Sequence, residues 1–524
     1  MNKRVKENGI TLIALVVTIV VLLILAGVSI SMLTGNNGII TQAQNAKNKT
    51  EEAEEKEKIQ LAVLDAISKE NDLTEENLQE EIDDEFGSGE TKVYPNEEGA
   101  FTVIFQNKDT NYRIEEDGTV TKIDIAFKIR NEEELKEFMN EVNSGNSYEN
   151  QYVYLLEDID LNNEEWGVIG SYTDDNTNKP FAGIFEGNNK TISNININKS
   201  EEENIGLFAY NTGIIRNLKM EGGSITGSVR VGGIVSINKG TIENCHNNGV
   251  TINSTSTTGG GGIAASNRGG TITYCSNSSN IVVNSASFVG GIVGGIQNSA
   301  TVSYCYNTGN VEADSEVGGI VGGSSENSKI LNSYNVGNIK GIYNAGGIAG
   351  TSSNTEIRYS FNNGYIEGTG VIDEYFNTNS AGIVGSFNGK VISCYNTGTV
   401  KGKSCVGGVV GQSMVNEEIQ IVNCYNIGCI EKTENASIDI GNIIGGAYGN
   451  RRLIIKNNYF SREISNIDGV GAVGPNAQIE IMETIEKDLN YMKTNSFVKD
   501  LNKDEEVFTL GGTLNNGYPI LNWQ

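Results

Sequence analysis

The chain has 524 residues, including 64 Gly, 68 Asn, only 4 Pro and one His, and it carries a net charge of −28. A lone imidazole, His246, cannot supply the paired ligands of a zinc hydrolase, and the negative balance disfavours nucleic acid and anionic membrane surfaces as partners. Gly at about 12% without a three-residue period is not collagen.

Residues 10–33 hold no charge. As a helix rising about 1.5 Å per residue they reach about 36 Å, enough to cross a bilayer. Lys3, Arg4 and Lys6 precede them against Glu7, which predicts a single-pass protein of the cell membrane with a cytoplasmic N-terminus and an extracellular bulk. The junction Lys6-Glu7-Asn8-Gly9-Ile10-Thr11-Leu12-Ile13-Ala14 resembles the class III signal of type IV prepilins. That resemblance implies a basic leader, residues 1–9, cut after Gly9 by a prepilin peptidase, with Ile10 as the methylated first mature residue. Two positions depart from the family: Ile10 stands where Phe or Met is commoner, and Ala14 where the family carries Glu. In the family that Glu neutralises a neighbouring amine in hydrocarbon, where an unpaired charge is costly. Its loss implies a minor pilin with pilin-like assembly partners, or a lone anchor, rather than a self-polymerising major pilin.

From Gln42 to Asp84 the apolar residues Ile59, Leu61, Val63, Leu64 and Ile67 fall among charges, as in a helix that continues the membrane segment into a solvated stalk. Residues 51–100 carry 18 acids and 4 bases, half of the whole excess. Strands are predicted at Ala100–Phe105, Tyr112–Ile114 and Gly118–Thr121, so residues 34–124 read as an acidic stalk with a small pilin-like α+β head. Residues 125–203 then supply an N-terminal cap and first rungs, with a short capping helix at Asn131–Met139 and strands at Tyr152–Leu161.

Residues 204–460 repeat. Gly-Gly-Ile recurs from Gly232, Gly261, Gly290, Gly318 and Gly346, with variants at Ala381, Gly407 and Gly441. A second signature follows in each unit, of the form aliphatic, two variable residues, Cys or Ser, aromatic, Asn, then x-Gly and a second aliphatic. Its Asn column is Asn247, Asn277, Asn307, Asn335, Asn362, Asn396 and Asn426, in steps of 27 to 34 residues. Because Asn and Gly tolerate left-handed backbone angles, this column is expected to turn a corner in every unit. Three short strands per unit, stacked at about 4.8 Å, give a mainly β chain: a right-handed parallel β-helix or β-solenoid of about 28–30-residue repeats, with about nine rungs over residues 204–460. At these residues the chain resembles the GLUG repeat family, known from bacterial surface and secreted proteins that include immunoglobulin A peptidases and large adhesins. The segment Phe181–Asn194 resembles the entry into such arrays and Asn516–Trp523 their close, which makes 461–524 a C-terminal cap. The peptidase members need zinc-binding histidines that this chain lacks.

Cys245, Cys275, Cys305, Ser333, Ser360, Cys394 and Cys424 share one repeat position, read as a ladder of small residues. Cys405 and Cys429 lie outside it and are the better disulfide candidates. The next position carries His246, Tyr306, Tyr334, Phe361, Tyr395 and Tyr425. Strict alternation from Ile242 or Val302 places these rings inside and the Cys column outside; a bulge nearby would reverse this and form an outward stripe for stacking sugar rings. The acidic clusters Asp158, Asp160, Glu164, Glu165 and Asp174, Asp175 lack calcium-loop spacing. No catalytic residue, metal or cofactor is assigned, and the expected role is a membrane-anchored surface adhesin or structural protein for a glycan or protein ligand. The alternative is a carbohydrate-active β-helix enzyme.

N-terminal sequencing of the protein isolated from its native membrane should begin at Ile10; a sequence starting at Met1 removes the prepilin reading.

Overall fold

The computed structural model describes residues 16–23, 39–70, 73–96, 99–108, 110–173, 177–256, 258–370, 378–413, 418–433, 439–449 and 452–524. Gly9, Ile10 and most of the expected membrane helix lie outside these residues, as do Asp174 and Asp175; residues 16–23 are helical. Among the described residues no helix is long and apolar enough to cross a membrane. The chain divides into two compact units, 1–124 and 125–524.

In the first unit a helix runs over Ile39–Glu70 and a second over Glu75–Phe86. The expected unbroken stalk is corrected here. Thr74 caps the second helix in a reciprocal box with Asn77, and Leu78 and Ile82 are buried with Ile59 and Val63 against a sheet. Leu61, Leu64 and Ile67 of the same pattern stay exposed. The sheet is an antiparallel meander of Thr91–Pro95, Phe101–Phe105, Asn111–Ile114 and Val120–Ile123, so the head gains one strand that the sequence reading did not assign. The acidic run is partly structural: buried Glu55 receives Lys108 Nζ at 2.7 Å and the Tyr112 hydroxyl at 3.1 Å.

The second unit is a β-solenoid of about twelve turns with parallel strands. One inward column runs in register through Phe127, Val153, Phe185, Ile215, Ile242, Ile272, Val302, Ile330, Ile357, Val391, Ile421 and Ile455. Its nine members from Ile215 to Ile455 match the nine expected rungs. Two further ladders stack beside it, one following Gly-Gly-Ile (Val235, Ala264, Val293, Val321) and one following the Asn-x-Gly corner (Ile252, Ile281, Val311, Ile339). The helix Glu132–Ser144, capped by Asn131, buries Leu135, Phe138 and Val142 over the first turns, where Phe138 meets Phe181, Phe185 and Phe208. This closes the apolar end of the stack.

The left-handed position is not where the Asn column predicted it. It falls on the residue before the Cys or Ser position, which Leu218 and Asn458 fill at the two ends: Asn217, Asn244, Tyr274, Tyr304, Asn332, Tyr359, Ser393, Asn423 and Asn457 all have φ between 46° and 56°. That extra residue resets the alternation, so Cys points in, the aromatic out and Asn in. The expectation of inward rings and outward thiols is therefore corrected. Every thiol or hydroxyl of the small-residue column lies against the carbonyl two residues earlier, from Cys245 to Glu243 (3.2 Å) and Ser333 to Leu331 (2.7 Å) through Cys424 to Val422 (3.3 Å). A small side chain that donates one hydrogen bond satisfies this place, which is why Cys and Ser interchange.

The Asn column is a buried amide ladder. Nδ2 of Asn277, Asn307, Asn335, Asn362 and Asn396 donates to Oδ1 of the next Asn at 2.8–2.9 Å. The same nitrogen donates to the carbonyl two residues on, as from Asn335 to Gly337 at 2.7 Å. Asn247 joins through Ser279, whose hydroxyl donates to its Oδ1 at 2.9 Å. Two glycines show what the ladder demands. A Cβ at Gly319 would lie 2.3 Å from Asn335 Cγ, and one at Gly337 would lie 1.9 Å from the Gly309 carbonyl oxygen. Gly-Gly-Ile and Asn-x-Gly are thus two halves of one packing unit. A second, shorter ladder, Asn211 to Asn238 to Asn267, links at 2.8 and 2.9 Å, and the Asn-x-Gly pattern of Asn211 and Asn238 was its sequence signature.

Asn335→Ala should lower the unfolding free energy by about 2–4 kcal/mol, because Asn307 Nδ2 and Asn362 Oδ1 each lose one of two partners and the Gly337 carbonyl loses its donor, at roughly 1 kcal/mol each. Urea unfolding of the full chain measures this; a loss under about 1 kcal/mol would contradict the ladder.

Candidate ligand-binding surface

The aromatic column stands on the outside of the solenoid with its rings in parallel. Centroids are 5.1 Å apart from Tyr306 to Tyr334 and 4.9 Å for each step through Phe361 and Tyr395 to Tyr425, with interplanar angles of 2–7°. Such contacts add about 0.5–1.5 kcal/mol per pair beyond burial. The column is neither internal nor, over most of its length, exposed. Residues 461–524 fold back over it: the helix Asn495–Leu501 and the hairpin of Phe508–Leu510 with Pro519–Leu521 place Phe497, Phe508 and Leu521 in one cluster with Phe361, Tyr395, Tyr425 and Tyr459. Polar contacts fix this docking. The Tyr395 hydroxyl donates to Gln524 Oε1 at 2.9 Å, the Tyr425 hydroxyl to the Pro519 carbonyl, and Trp523 Nε1 to the Tyr359 carbonyl at 3.0 Å.

The cover is graded. Tyr395 and Tyr425 are fully buried, Tyr306 and Tyr334 half-buried, while Tyr274 and Tyr304, at the left-handed position beside the column, stay 52% and 40% exposed and stack at 4.9 Å. Of the expected ligand stripe only this end is open, and it includes two rings the sequence reading did not single out. His246 occupies the same column. Its Nδ1 lies 2.8 Å from Ser276 Oγ and its Nε2 3.0 Å from Asn244 Oδ1, and burial, with the Lys219 charge, lowers its pKa below the usual imidazole value.

The other sequence candidates fall to structural roles. Asp158 accepts from the Thr191 amide at 2.7 Å. Asp160 accepts from Asn194 Nδ2 at 2.8 Å and the Asn162 amide at 2.9 Å, which together hold its carboxyl below the ordinary range. Among the described residues no group of three or more His, Cys, Asp or Glu could hold a metal. All seven cysteines are free, including Cys405 and Cys429, so the proposed disulfide candidates do not pair. Cys405 lies 3.7 Å from Asp439 Oδ2, and burial pushes its thiol up to about 12.

A cleft of about 350 Å³ opens on the solenoid's side, lined by Arg230, Arg268, Phe288, Gln297, Ser324 and Thr351. Phe288 has φ +60° and 42% exposure, and its ring lies over Gly323, where a Cβ would come within 2.3 Å of it. Its only trace in the sequence is a bulky aromatic in a column whose other members are Asn204, Arg230, Gly259 and Glu316.

No protein-family model matches the chain. A 93-residue stretch is 33% identical to Halomucin of Haloquadratum walsbyi, covering 17% of this chain and 1% of that protein, so the chain spans a very small part of its relative. Among solved structures, a putative immunoglobulin A1 protease from Bacteroides ovatus is similar at 16% identity and a TM-score of 0.35, over 77% of this chain and 93% of that one. Neither likeness assigns a function.

The covered tyrosines generate a pH dependence. Burial raises the Tyr395 and Tyr425 hydroxyls well above the ordinary phenol value, and burial with the Asp500 charge pushes Tyr459 up to about 12. Below a free phenol pKa of about 10 the docked and undocked states are both neutral and the contribution is complete; it is lost as pH rises through the docked values. Phenolate absorbance should therefore include a late cooperative step above pH 10 that coincides with release of residues 461–524. A single independent ionisation near pH 10 for all tyrosines would contradict the covered ladder.

Proposed function

We propose that the protein is a bacterial surface protein whose solenoid binds an external glycan or protein ligand, held at the cell membrane by residues 10–33 and displayed, after cleavage behind Gly9, as a minor pilin or lone anchor. The right-handed sense of the coil and the kinship with GLUG-repeat proteins belong to the same proposal. The observation that carries it is the set of outward side-chain columns on a scaffold whose inner face is fixed by hydrogen bonds at every turn. Tyr274, Tyr304 and Tyr306 present rings on that scaffold without needing to be ordered on binding. Residues 204–460 contain 15 acids and 15 bases, so this surface is neutral although the chain is not. Pairs such as Lys401 with Glu367 (3.0 Å) and Lys340 with Glu312 link neighbouring turns. The role is binding; glycan cleavage on a β-helix is the alternative.

A broad array of glycans and matrix proteins probed with the full chain should return a ligand, and replacing Tyr274, Tyr304 and Tyr306 together by Ala should weaken a ring-dependent ligand at least ten-fold. Release of reducing sugar from a polysaccharide panel would replace the binding role with an enzymatic one.

A further inference from the structure

We infer that the cleft around Arg268 and Phe288 is a binding site for a carboxylated saccharide, such as a uronic acid residue within a longer glycan. This rests on the reading that the solenoid binds a surface ligand, and it names the chemistry and the place.

The first ground is a cation with no carboxylate partner among the described residues. Arg268 is half-buried on the strand Ala264–Arg268. Its Nε donates to Ser266 Oγ at 3.2 Å and its Nη1 to the Tyr172 hydroxyl at 3.3 Å, and the guanidinium lies 5.6 Å from the Tyr172 ring centroid. Among the described residues no carboxylate pairs with it, although acids outnumber bases 66 to 38 in the chain. The other arginine of the cleft, Arg230, is paired with Glu203 at 2.8 Å. Arg268 therefore keeps unused N–H donors in the planar fork that matches a carboxylate. Tyr172 packs edge-on to Tyr210 at 5.1 Å, and Lys239 lies 5.7 Å from the Tyr210 ring centroid.

The second ground is Phe288. The left-handed backbone of Phe288 is that of its whole column, shared with Asn204, Arg230 and Glu316, so what sets it apart is the side chain, the one aromatic ring among them. The neighbouring turn fills the same column position with Gly259. What Phe288 contributes is an exposed ring at the mouth of a cleft floored by Gly295 and Gly323. An apolar ring face suits the C–H face of a pyranose.

The third ground is the remaining lining. Ser266, Gln297, Ser324, Ser325 and Ser353 offer neutral donors and acceptors of the kind that hydroxyl groups require. The volume of about 350 Å³ lies at the small end of the ligand-cleft range of roughly 300–1,000 Å³, which fits one or two sugar rings. A cation, a ring face and several hydroxyls converging in a cleft of that size select an acidic sugar over a neutral one, which offers the guanidinium no carboxylate.

Calorimetric titration of the full chain tests this with three probes: a uronic acid oligosaccharide, the same oligosaccharide with its carboxyls reduced to alcohols, and an oligo-glutamate peptide. The acidic oligosaccharide should bind at least ten-fold more tightly than the other two. Arg268→Gln and Phe288→Asn should each weaken it at least ten-fold, with Arg268→Lys intermediate. Asn tolerates the left-handed backbone, so the Phe288→Asn protein should melt no lower than the parent and reports on the ring rather than on folding. Equal binding of the reduced sugar, equal or tighter binding of the peptide, or unchanged binding by both variants overturns the site. Array binding that persists in Arg268→Gln and Phe288→Asn leaves the surface-binding role standing while this site falls; a chain that binds nothing on the array loses both.

Discussion

A buried primary amide has two donors and two lone pairs, and inside a β-solenoid the neighbour that can satisfy them at every turn is the same amide one turn away. From Asn277 to Asn426 that condition is met without interruption. Much of the array follows from it. The amide needs the second glycine of Gly-Gly-Ile, earlier in its own unit, to lie flat against, and a glycine two residues on for the preceding turn's carbonyl, which fixes Asn-x-Gly. A slip of one residue would bury an unpaired amide in every turn at once, so register is set by polar groups inside an apolar core. The aliphatic ladders supply the bulk of the burial; the amides decide the alignment.

The outer face is organised by a different constraint. Parallel in-register strands bring identical rings to one rung spacing, and a row of rings buries its faces but leaves its edges apolar. Residues 461–524 cover those edges from Tyr334 to Tyr459 and reach Tyr304 through the edge of Trp523, yet leave Tyr274 and Tyr304 largely exposed. The cap is thus a lateral cover as well as a terminal one, and it decides which part of a repetitive surface a ligand can reach. The Arg268 cleft lies elsewhere on the same unit, where the columns carry Lys239, Arg268 and Gln297 in place of rings.

The repeat, its strands and the nine rungs were legible because Gly, Asn and aliphatic residues recur together at one period. The orientation of the columns was not. Asn is favoured both as a left-handed corner and as a ladder amide, and spacing cannot separate the two; the corner proved to be the residue before the thiol, masked because Tyr274, Tyr304, Tyr359 and Ser393 replace Asn there in four turns. The cover over the rings was illegible because it joins residues as far apart as Tyr359 and Trp523. The break at Thr74 was written locally in a capping box, yet the surrounding acids resembled a continuous solvated helix. Phe288 left no periodic trace, since its importance lies in departing from its column.

Every amide of both ladders donates toward the C-terminus, from Asn211 to Asn267 and from Asn277 to Asn426, where Asn442 passes the chain of bonds to the Ser465 and Ile467 carbonyls. Aligned this way the bonds polarise one another, and a turn in the middle cannot open without orphaning a donor on one side and an acceptor on the other. Opening is therefore cheapest at the two ends, like a zipper. The helix over Phe138 and the cover from residue 461 onward stand at those ends, which makes them the determinants of how long the array survives proteases and mechanical pulling, out of proportion to the small share of the core they bury.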